Sequence, residues 1–410
     1  MRSIFLAAAL AAVFTADSAA QDLVLTNANV VDVVDGSILM GATLTVTDGR
    51  IASIDTDGAP APAGVRTVDL AGRYVAPGLM DGHVHVGSSA DARTALFAGV
   101  TTMRSMGADH YADVGMRELH RAGHAETPEY LAAGYHVRPQ MAEGFFQDHP
   151  ELGGLDDGKV QGAAAVRSVT RALLSRGVDF VKTNATERAG LPNTDPRKQL
   201  FSEAELGVMV EEAARAGVGV SAHAHGDAGG RAAVAAGVRS IEHGTYLSPT
   251  TLRMMVERGT YLVPTIAIVR DLTIPGGDYD NAVLNIRGRH MLPRVQEMAR
   301  TAHELGVKIV AATDTGYGPN STTTLAHELL ELAEIGMTPL EALQAATTNP
   351  AELFGLSDRL GRLEVGFEAD LIVLERNPLD DIGIVQDVLM VVSDGEVIVQ
   401  RGDWPGRPVS

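Results

Sequence analysis

The chain has no cysteine in its 410 residues. No disulfide can form and no thiolate can ligate a metal. Any bound metal must be held by histidine, carboxylate or a modified lysine. Basic residues are few: 33 Lys and Arg stand against 52 Asp and Glu, a formal charge of −19. No basic run occurs. Phosphate contacts need clustered Lys and Arg, so the composition argues against non-specific nucleic-acid binding and against anionic membrane surfaces. The acidic surplus reads as a solvated surface. Long apolar runs are scarce as well. The run Ile4 to Phe14 is too short to span a bilayer, and no later run is long enough. With Arg2 before it and Ser18-Ala19-Ala20 behind it, residues 1–20 read as a secretory signal peptide cut before Gln21. The mature chain is expected to be exported, periplasmic first and extracellular second, with no membrane span.

The length suits one large barrel plus a smaller domain. Residues 22–70 alternate strand-like segments with Gly and Asn turns, and Asp48-Gly49 is a hairpin signal. Residues 366–402 read the same way, around Asp394-Gly395. Neither end has an obvious core of its own, so the two ends are expected to pair. The middle alternates short strands with helical patterns, which argues for βα units and a parallel sheet. Its expected strands include Leu131 to Tyr135 and Lys308 to Asp314, and its expected helices include Ser202 to Ala216 and Pro293 to Leu305. Ser202 and Thr338 carry N-cap signals, with Glu205 and Glu341 three residues on. The resulting fold class is α/β. A (β/α)8 TIM-like barrel spans residues 76–359. A flanking β-sandwich is built from residues 21–75 and 360–410.

Asp81-Gly82-His83-Val84-His85 follows an apolar run, Tyr74 to Met80. Side chains alternate along a strand, so His83 and His85 point the same way. Alone, the pair fits one core and one surface histidine equally well. More ligand-type residues follow, each at the end of a short apolar strand. Lys182 closes Phe180-Val181; His223 and His225 lie in Ala222-His223-Ala224-His225-Gly226; His243 follows Ile241-Glu242; Asp314 follows Thr313. Each could be a rim residue. Together they mark the C-terminal ends of barrel strands, where the active site of such a barrel lies.

On these motifs the chain resembles the amidohydrolase superfamily across residues 22–402. The sequences Ser240-Ile241-Glu242-His243-Gly244-Thr245 and Ala222 to Gly226 are most similar to one of its branches. That branch holds imidazolonepropionase-like proteins, Xaa-Pro dipeptidase-type carboxypeptidases and ochratoxinase. The resemblance implies two divalent metals, usually zinc. His83, His85 and Asp314 would hold one, His223 and His243 the other. Lys182, as N6-carboxylysine, would bridge them. It also implies a metal-bridging hydroxide as nucleophile, with Asp314 shuttling the proton. The one-metal imidazolonepropionases lack this lysine, so Lys182 argues against that activity.

In relatives, the residues matching His136 and His225 contact the scissile amide or the substrate carboxylate. Arg138 and Arg188 are candidate carboxylate clamps, because a guanidinium matches a carboxylate bidentately. The implied activity is amide hydrolysis of a dipeptide or N-acyl amino acid, with ochratoxin-type amides included. Rivals are cyclic amide or lactone hydrolysis, deamination, and a catalytically silent binding protein on the same fold. Relatives are commonly homo-oligomers. Phe145 and Phe146 form either a specificity wall or a loop anchor. His110, His120, His124, His149, His290, His303 and His327 are assigned to the surface.

Overall fold

Asp48-Gly49 and Asp394-Gly395 both turn their chains with positive φ, at 51° and 75° and at 50° and 80°. Two such residues in a row match the right-handed twist of the strands they join. In the computed structural model, which describes residues 22–57, 64–124, 126–156 and 160–402, these turns lie in one sheet. The expected signal peptide and its cleavage point fall outside the described residues. The strands are β1 (Leu23–Val31), β2 (Ile38–Thr47), β3 (Arg50–Asp55), β4 (Arg66–Asp69), β5 (Tyr74–Pro77), β6 (Leu79–Val84), β7 (Val100–Ser105) and β8 (Glu129–Leu131). They continue with β9 (Phe180–Asn184), β10 (Gly219–Gly226), β11 (Ser240–Tyr246), β12 (Tyr261–Val263), β13 (Leu371–Leu374), β14 (Met390–Ser393) and β15 (Glu396–Gln400).

The chain ends meet in an eight-stranded sheet of order β15-β14-β13-β5-β1-β2-β3, with β4 beside β1. β13 runs antiparallel to β5, pairing Val373 with Val75. This explains why neither end carries a core alone. Leu25, Leu44 and Val68 from one end pack with Leu371, Val373 and Met390 from the other.

The middle of the chain holds two parallel sheets, β12-β11-β10-β9 and β6-β7-β8. Backbone hydrogen bonds join them at two seams. At one, Val137 N–H donates to Lys182 C=O (2.8 Å) and Asn184 N–H to Val137 C=O (3.1 Å). At the other, the segment 308–315 is held on both sides. Val310 N–H donates to Leu262 C=O (2.9 Å), Gly82 N–H to Ala311 C=O (3.0 Å) and His85 N–H to Thr315 C=O (2.9 Å). Gly82 permits that approach: a Cβ there would lie 2.6 Å from Val310 Cγ1. The whole is a mixed α/β fold.

Two expected strands are shorter than the sequence suggests. β8 stops at Leu131 because the Asp113 carboxylate takes the N–H groups of Ala133 and Gly134, each at 3.0 Å. Gly134 then turns at φ +67°. The segment 308–314 makes only isolated bridges, since Ala311 N–H is drawn to Ala345 C=O (2.7 Å) and Asp314 has φ 55°. The helix expected from Pro293 begins earlier, at Ala282, where Asn281 caps Val283 and Leu284, and it carries Pro293 in its interior. The capping boxes at Ser202 and Thr338 form as expected. Among the described residues no helix is long and apolar enough to cross a membrane.

Candidate active site

His83 lies on β6, with His85 just beyond its end; Lys182 is on β9, His223 and His225 on β10 and His243 on β11. Asp314 ends the bridging segment. Their side chains converge into two groups, His83-His85-Asp314 and His223-His225-His243, with ligand atoms of each group within 4.8 Å of one another. Asp314 Oδ1 is 3.3 Å from His83 Nε2 and 3.2 Å from His85 Nε2. The groups touch: the His83 and His243 rings are 5.1 Å apart. Strand alternation should send His243 away from Glu242, yet both reach His83. His243 has φ 72°, a left-handed conformation rare outside glycine, which turns its side chain inward. Asp314 shares that strain, and strained backbone of this kind clusters at functional sites.

Five of the rings have one nitrogen committed to a fixed partner. Nδ1 of His83 meets the Glu242 carboxylate (2.9 Å), Nδ1 of His225 the Thr245 hydroxyl (2.9 Å), and Nδ1 of His243 the Thr265 hydroxyl (2.7 Å). His223 Nε2 donates to Glu187 C=O (3.2 Å), and His136 Nδ1 to Asn184 Oδ1 (3.1 Å). The other nitrogen of His136, His223, His225 and His243 is left to act as a ligand or to meet substrate, while Nε2 of His83 and of His85 faces Asp314. Burial lowers the pKa of His85, His136, His223 and His243, and takes His225 down to about 3. These five imidazoles are therefore neutral, with lone pairs to give. Burial raises Asp314, but His83, His85 and His243 outweigh it and hold its carboxyl well below the usual range.

Lys182 is 1% exposed, and its Nζ has no hydrogen-bond partner. Burial, the largest effect, brings its amine down to about 8. The cavity above has two compartments. Ile268, Val269, Leu272, Tyr279 and Met291 wall one side. The other holds Arg138 and Asp109, with Arg188, His85 and His136 shared between them. Neither arginine has an ion pair or side-chain hydrogen bond among the described residues. Burial and the like charge of Arg188 depress the Arg138 pKa, and Asp109 opposes them. His136 is held in place by close packing, since a Cβ on Gly107 (φ +118°) would lie 2.5 Å from its ring.

The structure adds residues to which the sequence reading assigned no role. Glu242 is fully buried and accepts from His83, from Arg104 Nη2 (3.0 Å), and from the hydroxyls of Ser221 (2.7 Å) and Ser240 (2.6 Å). Burial raises its pKa, but Arg104, Lys182 and His83 outweigh that and hold it below the carboxylate range. An acid in an otherwise apolar strand, one residue before a histidine, was the available signal. Removing one partner of a buried charge pair costs about 3–5 kcal/mol. Glu242→Gln is expected to lose stability on that scale in urea denaturation and to bind metal about 10–100-fold more weakly. A variant with unchanged midpoint and metal affinity would dismiss the anchoring role.

Glu328 is also fully buried. One oxygen accepts from Ala267 N–H (2.7 Å) at the start of the helix Ile266–Asp271, which lines the cavity, and the other has no partner. Burial raises its pKa to about 8. Between the unfolded value of 4.5 and 8 the folded state holds a proton that the unfolded state lacks. Stability therefore falls as pH rises through that window. Glu328→Gln removes this loss, so its melting-temperature gain over wild type should be larger at pH 8.5 than at pH 5. An equal difference at both values would refute the shift.

Two expectations need correction or choice. His149 is not on the surface: it is buried, bonded to the Tyr111 hydroxyl (2.6 Å) and packed on Phe145. A loop polar in sequence folds inward here because that hydroxyl satisfies its ring nitrogen. Phe145 and Phe146 are buried in a short helix, Glu143–Asp148, outside the cavity lining, so they anchor the loop.

The amidohydrolase family model matches residues 74–398. An ochratoxinase from Aspergillus niger is 28% identical over 393 residues, covering 86% of this chain and 81% of that protein. An imidazolonepropionase from Symbiobacterium thermophilum is 26% identical, covering 83% of this chain and 85% of its own. Among solved structures, a Xaa-Pro dipeptidase with methionine bound in its active site superposes with a TM-score of 0.81 at 26% identity, covering 92% of this chain and 99% of its own.

Proposed function

We propose, from the premise that the chain belongs to the amidohydrolase family and is a hydrolase acting on carbon–nitrogen bonds, that it cleaves the amide of an N-acyl amino acid or dipeptide at a two-metal centre and releases the C-terminal amino acid. The observation that carries this reading is the meeting of two ligand-type triads beside Lys182, a buried amine without a partner. Lysine is seldom buried unless paired, so packing alone does not account for it. Carboxylated on Nζ, it becomes an anion with two oxygens. The donors are imidazole nitrogen and carboxylate oxygen without sulfur, a set that suits zinc. His83, His85 and Asp314 would hold one cation, His223 and His243 the other, and carboxylated Lys182 would serve both. Such cations acidify a water and polarise a carbonyl when bound. The architecture belongs to the same reading: the two parallel sheets, joined at both seams, close as a (β/α)8 barrel beside a β-sandwich from the chain ends.

The chain's own residues divide the remaining work. Asp314 takes the water's proton and passes it to the leaving nitrogen. His136 and His225 face the amide. Arg138 and Arg188 clamp the substrate carboxylate. A cyclic amide or lactone without a carboxylate would offer neither guanidinium a bidentate partner, which weakens that rival. Elemental analysis of active, undialysed protein should find two divalent ions per chain; one or none would sink the two-metal centre. Arg138→Gln and Arg188→Gln should each raise KM by about tenfold, the scale of a charged hydrogen bond, with kcat little changed. A fall in kcat at constant KM would remove the clamp.

A further inference from the structure

We infer that the acyl side of the substrate is uncharged, so that the protein prefers N-acyl amino acids to dipeptides bearing a free α-ammonium; this rests on the function proposed above. The two compartments of the cavity differ in charge. On one side of the histidine cluster the wall is Ile268, Val269, Leu272 and Met291, closed by Tyr279. Among the described residues the only carboxylate lining that compartment is Asp314, already engaged by His83 and His85. Arg138 lines the other side and Arg188 borders both, and among the described residues neither has an ion pair, with Asp109 the one carboxylate lining the Arg138 side. A substrate laid across the cluster puts its carboxylate by the arginines and its acyl group on the apolar wall. A dipeptide in that pose brings its α-ammonium to a surface with no carboxylate to receive it. A charge taken from water without a partner is strongly disfavoured.

Reversing the substrate fails twice. The carboxylate then meets the apolar wall, and the ammonium sits beside the Arg138 and Arg188 guanidiniums. The reaction is the same for either class. Water adds across the amide, the C–N bond breaks and a C–O bond forms. The acyl group is released as a carboxylate, and both protons of the water go to the departing amine, which leaves as an ammonium.

The test uses a matched pair, 3-phenylpropanoyl-phenylalanine and Phe-Phe, which differ only in the α-ammonium. Near pH 6.5 that ammonium stays protonated, since α-amino groups titrate at about 7.7–8.0. With the metal-replete full chain, kcat/KM should favour the acyl substrate by at least about tenfold, the lower end of discrimination by one small group. The difference should lie mainly in KM. Val269→Asp and Leu272→Asp, each placing a carboxylate in the apolar compartment, should narrow the gap; two variants guard against one that fails to fold. Equal or faster hydrolysis of Phe-Phe overturns this inference and leaves amide hydrolysis standing. No turnover of either compound removes amide hydrolysis and this inference with it.

Discussion

Lys182→Ala is expected to lose most turnover and metal while keeping its fold. The two effects separate because the side chain is costly where it sits. It is buried, its amine has no partner, and burial already drives that amine toward neutrality. Removing it relieves an unpaired polar group, so the melting temperature of the metal-free variant should match or exceed that of metal-free wild type. What is lost is the anion that the lysine becomes on carboxylation. Residues that merely support metal ligands are worth about 10–100-fold in affinity or activity, and a direct ligand should exceed that. The space left by three methylenes and an amine can admit a small acid. Acetate or propionate should therefore restore part of the activity, with a saturable concentration dependence. Lysine as a simple packing element predicts the opposite pattern, with stability falling and no response to added carboxylate. Near wild-type turnover and metal content in Lys182→Ala would refute the ligand role.

Much of the site was legible because strand alternation is a reliable rule. His83 and His85, and His223 and His225, share faces as their spacing requires, with ring centroids 5.4 and 4.8 Å apart. Turn chemistry was equally plain: Asp48-Gly49 and Asp394-Gly395 turn as such pairs must, and the chain ends meet in one sheet. The rule fails where the backbone leaves the β region. Nothing in the local sequence announces φ 72° at His243 or φ 55° at Asp314. That strain is imposed by contacts distant in sequence, such as Asp314 N–H to His83 C=O (2.8 Å). Likewise Glu242 and Arg104 look like interruptions of apolar strands until folding brings them together beneath His83. Short strands were overextended for the same reason. Asp113 takes the amides of Ala133 and Gly134 from a different segment, and no periodicity records that competition.

Asp314→Asn is expected to retain much of its metal, bind substrate and lose catalysis. Asparagine keeps the size and one oxygen of the carboxylate but cannot take a proton at working pH. It is also one of the few residues that tolerate left-handed φ, so the backbone at 55° need not move. The substitution thus removes one property of Asp314 and spares its placement. In the structure its carboxylate lies within 3.3 Å of both His83 and His85, and neighbouring imidazoles hold it ionised against burial. An ionised carboxylate in a buried cleft is a base ready to accept a proton and, once it has done so, an acid beside the leaving nitrogen. General acid–base groups are worth about 10²–10⁴-fold in rate, so kcat should fall by at least the lower figure. If the carboxylate also orients the attacking water, the loss will be larger. The measurement is kcat beside metal stoichiometry on the same preparation. Should the variant hold both metals and turn over within about tenfold of wild type, short of the range for a lost acid–base group, the proton passes elsewhere. His136 is then the next residue to replace, because it lines both compartments and keeps one ring nitrogen free.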